Sequence, residues 1–184
     1  VDGRKVDLLY RDLDDVGRVI EACRSGEITM DYQPGHPHGF CSAIWMGEVA
    51  LCRSLHDREG LLAALKAKSS PYPKPLGEAL IQRFRWESAF AIENAEIAVA
   101  RAEQTHIAGC AYRALACIAQ VLFALNERYL INEKGALQEA ATFAQTLPDL
   151  LTRAAEIWRS IGDRNYVTTV GLLRALDQDL KELG

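Results

Sequence analysis

No apolar run in these 184 residues extends to the roughly 18–20 residues needed to cross a bilayer, because Arg, Glu or Gln interrupts each one. The sequence therefore predicts no membrane span. It also lacks an excess of positive charge. With 21 Lys and Arg against 25 Asp and Glu, the net charge is −4, a field that repels nucleic-acid phosphate and anionic membrane and leaves only local basic patches to attract them. Low-complexity tracts and internal repeats are missing, and 49% hydrophobic with 25% charged residues is the balance of a folded globular chain rather than a disordered tail. A secretory signal is missing too, and the five cysteines, Cys23, Cys41, Cys52, Cys110 and Cys117, are an odd number scattered over apolar patterns, which reads as reduced thiols in a cytoplasmic protein. The chain opens at Val1 without an initiator Met, a start that reads as a cut.

Proline is scarce outside two short stretches. Gln33 to Phe40 holds two prolines and two glycines and must be a loop. Ser69 to Pro75 holds three prolines and is the clearest boundary in the sequence, dividing it into 1–70 and 71–184. Before the first loop, Val6-Asp7-Leu8-Leu9-Tyr10 is short, apolar and rich in strand formers, and predicts a β-strand with a carboxylate embedded in it. Asp12 can cap a helix carrying Val16, Val19, Ile20 and Cys23, which Gly26 stops. Ile28, Met30 and Tyr32 then alternate with polar neighbours as in a half-buried strand. Ser42 to Leu55 fits either a short helix with a strand or two short helices, and a further helix runs from Asp57 to near Lys68.

From Leu76 the pattern is helical. Leu80, Phe84, Ser88, Ile92, Ala95 and Val99 form one stripe, and Ile107, Ala111, Leu115, Ile118, Leu122 and Leu125 a second, rich in small residues as suits a closely packed central helix. Asn132 to Gly135 breaks the pattern, and two further stretches, about 136–161 with a break at Pro148 and 163–183, complete a bundle of four or five helices.

Gly3-Arg4-Lys5-Val6-Asp7-Leu8-Leu9-Tyr10-Arg11-Asp12 resembles the third-carboxylate strand of the DNA polymerase beta-like nucleotidyltransferase superfamily. The loop Gln33 to Phe40, Gly47-Glu48-Val49, and the run from Leu122 through Asn126, Tyr129 and Lys134 to Gly135 resemble segments of bacterial nucleotidyltransferase-domain proteins related to the aminoglycoside- and lincosamide-modifying enzymes. The resemblance implies a mostly helical α+β fold: a remnant of the catalytic sheet followed by an antiparallel helical bundle. It further implies transfer of a nucleoside monophosphate from an NTP to a hydroxyl of a small acceptor, with Mg²⁺. A Gly-Ser pair to grip the triphosphate, followed by the Asp-x-Asp that supplies two metal ligands in that superfamily, is not found in these residues, so the chain by itself is expected to be inactive. Two-metal chemistry needs several carboxylates, and Asp7 alone cannot supply them.

By the resemblance, Asp7 is the third carboxylate, a metal ligand or general base at the acceptor hydroxyl; otherwise it is a strand Asp paired with Arg4 or Arg11. Lys134, in the polar break, would contact the triphosphate as a helical-domain lysine does in related enzymes, or is a solvated loop lysine. Asn126 and Tyr129 would line the nucleotide cleft or terminate the core. His38 would face the acceptor from its loop, and Glu87, with Glu93 and Glu96, would hold a cationic acceptor or lie on a solvated helix face. His36, His38, Cys41, Cys52 and His56 offer zinc-type donors at no standard zinc spacing. Arg101 and His106 match the Arg-x4-His spacing of RNA-cleaving helical domains, with Glu103 beside them opposing phosphate. The competing class is a non-catalytic helical interaction module of the antitoxin type. Apolar surface left where a sheet would dock leaves room for a homodimer.

Overall fold

A computed structural model describes residue 3 and residues 5–183. The order of elements is α1 (Leu13–Arg24), β1 (Met30–Asp31), β2 (Phe40–Cys41), α2 (Ala43–Leu51), α3 (Leu61–Lys68), α4 (Lys74–Val99), α5 (Gln104–Leu125), α6 (Ala136–Ala140), α7 (Leu150–Gly162) and α8 (Tyr166–Glu182). The fold is α+β and mostly α, as the sequence predicts.

Asp12 caps α1 by accepting from the backbone N–H groups of Asp14 and Asp15, which satisfies donors that have no intrahelical partner. Gly26, at φ +86°, ends the helix in a left-handed conformation that costs glycine least. The chain then turns into a hairpin. Met30 pairs with Cys41 and Asp31 with Phe40 in an antiparallel two-stranded sheet, and Thr29 and Ser42 continue the ladder through Ser42 N–H to Thr29 O at 3.0 Å and Thr29 N–H to Ser42 Oγ at 3.0 Å. The strand predicted over 27–33 is thus two residues long, and 32–39 forms the loop above it.

The strand predicted at Val6–Tyr10 does not form among the described residues. That segment runs without regular structure, and Val6, Leu8, Leu9 and Tyr10 are 57%, 74%, 71% and 88% exposed. A strand needs a neighbour for its N–H and C=O groups, and among the described residues the sheet consists of β1 and β2 alone. The segment has strand composition without a ladder.

The helices pack as expected from their stripes. Helices α4 and α5, joined by a four-residue turn, lie antiparallel along most of their length and make the largest helix pair of the fold. On α4, Leu80, Phe84, Ser88, Ile92 and Ala95 are all buried. Helix α5 is buried around most of its circumference from Ala114 to Ala124. Its most apolar 18-residue window has a mean hydropathy of 1.6, enough by length and composition to cross a membrane, and 67% of that window is buried within the fold. This corrects the expectation that no segment reaches that threshold: the small Ala and Cys residues of a tightly packed core helix raise hydropathy as effectively as lipid-facing residues do. The stretch expected from 136 with a break at Pro148 instead stops at Ala140, eight residues before the proline, and α7 starts at Leu150 just after it. Helix α8 closes against α7 and α4, where the buried Ser160 and Thr169 hydroxyls pair at 2.7 Å.

Buried residues from α1, β2 and α2 join those of α4–α8 in one apolar cluster. Gly47 in α2 lets Tyr129 and Ile131 cross close over it: a Cβ there would stand 3.1 Å from Tyr129 Cβ and 2.8 Å from Ile131 Cγ2.

Candidate functional site

His38 of the hairpin loop 32–39 lines a partly open cavity of about 180 Å³ beside the middle of α5 and the 130–137 segment. Its walls are Leu115, Ala116 and Ala119 on α5 and Leu130, Ala136 and Leu137 from the segment leading into α6. Its polar groups are His38, Tyr112, Gln120 and Glu133, with Trp158 of α7 at the edge, 41% exposed. Two turns hold the loop, from His36 N–H to Gln33 O at 3.1 Å and Gly39 N–H to His36 O at 2.9 Å. Gly39 sits at φ +105°, and a Cβ there would meet Met30 Cε at 3.1 Å, so the tip closes only with glycine.

Arg113 pins this loop to the bundle. One Nη donates to the His38 carbonyl at 3.1 Å and the other pairs with the Glu87 carboxylate, which is buried on α4 and also faces Arg83 Nε at 3.8 Å. From the loop itself, His36 Nδ1 meets Glu133 Oε2 at 3.1 Å. The charged groups around the cavity are therefore mostly compensated in pairs.

Two are not. His38 is 2% exposed, and neither of its ring nitrogens has a hydrogen-bond partner. Its ring lies against Phe84 at 5.4 Å between centroids. Burial pushes the imidazole pKa below its ordinary value, and the Arg113 guanidinium acts in the same direction, so at neutral pH the ring is uncharged, with one nitrogen donating and one accepting. The other orphan is Glu133 Oε1, buried and unpartnered while Oε2 holds His36. Buried polar atoms without partners are rare in folded proteins, and here two residues lining one cavity carry them.

The residues singled out from sequence divide into three sets. His38 and Glu87 are linked through Arg113, which bonds the His38 carbonyl and the Glu87 carboxylate, while Lys134 is exposed and lies outside the cavity lining. Asn126 and Tyr129 make internal bonds. Asn126 Nδ2 donates to Leu122 O at 2.7 Å and Gln145 O at 2.8 Å while its Oδ1 accepts from Gln145 N–H at 3.0 Å. Tyr129 donates its hydroxyl to Ser69 O at 2.7 Å and packs on Tyr72 at 4.9 Å; burial raises its phenol pKa to about 12. Asp7 stands apart on the exposed 5–12 segment, whose end is anchored by Arg11 over the Trp45 ring at 5.2 Å and beside Glu48 at 3.6 Å.

Among the described residues no group of three or more His, Cys, Asp or Glu side chains is arranged to hold a metal ion. His36 is paired to Glu133 and Cys41 is buried with its thiol pKa raised to about 11 by desolvation, so the zinc-type donors of the loop do not converge. Arg101 faces Glu103 at 3.8 Å and His106 lies in the first turn of α5. A larger depression of about 1010 Å³ between α4 and α5 is wide open, mostly apolar and edged by Trp86 stacked on Phe90. Sequence reasoning passed over Glu133, Tyr112, Gln120 and Arg113. The signal that could have found them is a polar or charged residue recurring on the otherwise apolar face of α5 and just beyond it.

A family model described as a domain of unknown function (DUF4037) matches residues 46–136. The matched span runs from α2 to the start of α6 and holds Glu87, Arg113, Asn126, Tyr129, Glu133 and Lys134, leaving Asp7 and His38 before it. No curated protein and no solved structure matches the chain.

Proposed function

We propose that this chain is the helical half of a nucleotidyltransferase that transfers a nucleoside monophosphate from an NTP to a hydroxyl of a small acceptor, with the triphosphate-gripping motifs supplied from outside these residues. The observation that carries the reading is the Val6–Tyr10 segment. It has the composition of a central strand, an aspartate among apolar residues, and exposes every large side chain it has. Four apolar side chains in water are unfavourable by about 25 cal/mol per Å² of surface left unburied, so the segment is built to join a sheet that the described residues do not contain.

Asp7 fits Mg²⁺ as one hard oxygen ligand, and the other ligands would have to come from the docked sheet. The metal, when bound, neutralises triphosphate charge. This chain's own share is one carboxylate from Asp7, a cation from exposed Lys134 and a neutral imidazole from His38 on the loop. Asn126 and Tyr129 serve here by fixing the segment that carries Glu133 and Lys134.

The test is nucleotidyl transfer from radiolabelled ATP with Mg²⁺, in the longest natural reading frame that includes this chain, against a panel of small hydroxyl compounds. Asp7→Asn should lower transfer at least about 100-fold, the scale of losing a group that acts on the reacting atoms, with melting temperature unchanged. Undiminished transfer by that variant, or a reading frame without Gly-Ser and Asp-x-Asp upstream, would overturn the proposal in favour of a non-catalytic interaction module.

A further inference from the structure

We propose that the cavity beneath the 32–39 loop binds a small organic cation, a primary ammonium carried on a single ring or a short aliphatic chain. The site lies apart from the segment that carries Asp7 and shares His38 with the proposed transfer chemistry, but its ligand is read without NTP or Mg²⁺.

The polar atoms on the cavity wall set the charge of the ligand. Glu133 turns one carboxylate oxygen on His36 and leaves Oε1 buried without a donor. A buried anionic oxygen in that state costs more than an unpaired neutral group, and an ammonium N–H relieves it with a charge-assisted bond. His38 offers an accepting nitrogen with no partner of its own. Tyr112 and Trp158 are the aromatic members of the lining, and a ring face turned to the space favours a cation over an anion or a neutral group. Neither Lys nor Arg lines the space, so an anion would meet a carboxylate and no counter-charge. Among the described residues the lining supplies fewer than the three protein ligands of even an open metal site.

Volume sets the size. A dry cavity of about 150 Å³ accommodates benzene, so a space of about 180 Å³ takes one six-membered ring with an amino substituent, and a ligand of several linked rings does not fit. The remaining wall, Leu115, Ala116, Ala119, Leu130 and Leu137, suits the hydrocarbon part of such a molecule. The same volume filled by about six waters is the alternative that the experiment excludes.

The chain is titrated calorimetrically with cyclohexylammonium, cyclohexanol and cyclohexanecarboxylate in separate runs, without NTP or Mg²⁺, so the outcome is independent of nucleotidyl transfer. The cation should bind at least about tenfold more tightly than the alcohol, the carboxylate should not bind, and Glu133→Gln should remove the preference while leaving the alcohol's affinity unchanged. Ala116→Leu, which fills the cavity without touching its polar groups, should abolish binding of both and serves if Glu133→Gln fails to fold. Equal affinity for cation and alcohol, cation binding that survives Ala116→Leu, or no saturable binding by any of the three overturns the proposal.

Discussion

The helical pair α4–α5 and the segment Val6–Tyr10 are both rich in apolar residues, yet one buries them and the other does not. On α4 the stripe residues Phe84 and Ile92 are fully buried, because residues three and four apart share a face and the neighbouring helix covers it. On the N-terminal segment Leu8 and Tyr10 remain exposed. A helix satisfies its own backbone and needs from its neighbours only apolar surface, whereas a strand needs hydrogen bonds from another strand before its side chains can be covered. Apolar composition therefore locates helices without naming a partner, and leaves a strand undetermined until the partner is present.

Substitutions break the comparison at its strong end first. Phe84→Ala removes a fully buried ring that touches His38 and should cost about 3–5 kcal/mol of stability, from lost transfer energy and the cavity left behind. Urea denaturation checks it: a loss below about 1 kcal/mol would show that the bundle collapses around the gap. Gly47→Ala should cost about 1–3 kcal/mol by overpacking, since the new Cβ would press on Ile131 Cγ2 and Tyr129 Cβ. Its readout is the melting temperature beside that of Gly109→Ala, where a Cβ meets nothing within 4 Å and Ala favours the helix.

Acid provides a smaller probe of the hairpin loop. His38 has a folded-state pKa below its ordinary value because burial disfavours the imidazolium. As pH falls through the unfolded value of about 6.5, the unfolded chain takes up a proton that the folded chain refuses. Stability should therefore decline with falling pH until the folded-state pKa is passed, and level off below it. In His38→Gln that part of the slope should vanish in melting curves recorded between about pH 7 and pH 4; an unchanged slope would assign it to other groups.

The same contrast governs what the sequence made legible. Helix identity, the Asp12 cap and the Gly26 stop each depend on local chemistry, and each stands where spacing put it. The cavity was legible only at His38. Glu133 lies 95 residues from it in sequence and reads as one more charge in a polar break, and Arg113 reads as an exposed helix residue until its two Nη groups are seen to hold His38 O and Glu87. Orphan atoms and their shared cavity are properties of the packed chain, with no signature in composition or period.

The weak end of the comparison gives the smallest expected effect and a direct bearing on the N-terminal segment. Leu8→Ser replaces a side chain that is 74% exposed, and in the chain as described here its cost should stay within about 0.5 kcal/mol, as for surface positions away from caps and cores. If the segment is the strand of a larger sheet, the same substitution in a longer natural protein removes a buried leucine and should cost about 2–5 kcal/mol. Melting both forms with and without the substitution separates the cases. A large loss in the longer protein alone places Leu8 in a sheet completed from outside these residues; equally small losses in both leave Val6–Tyr10 an exposed tether, and Asp7 with it.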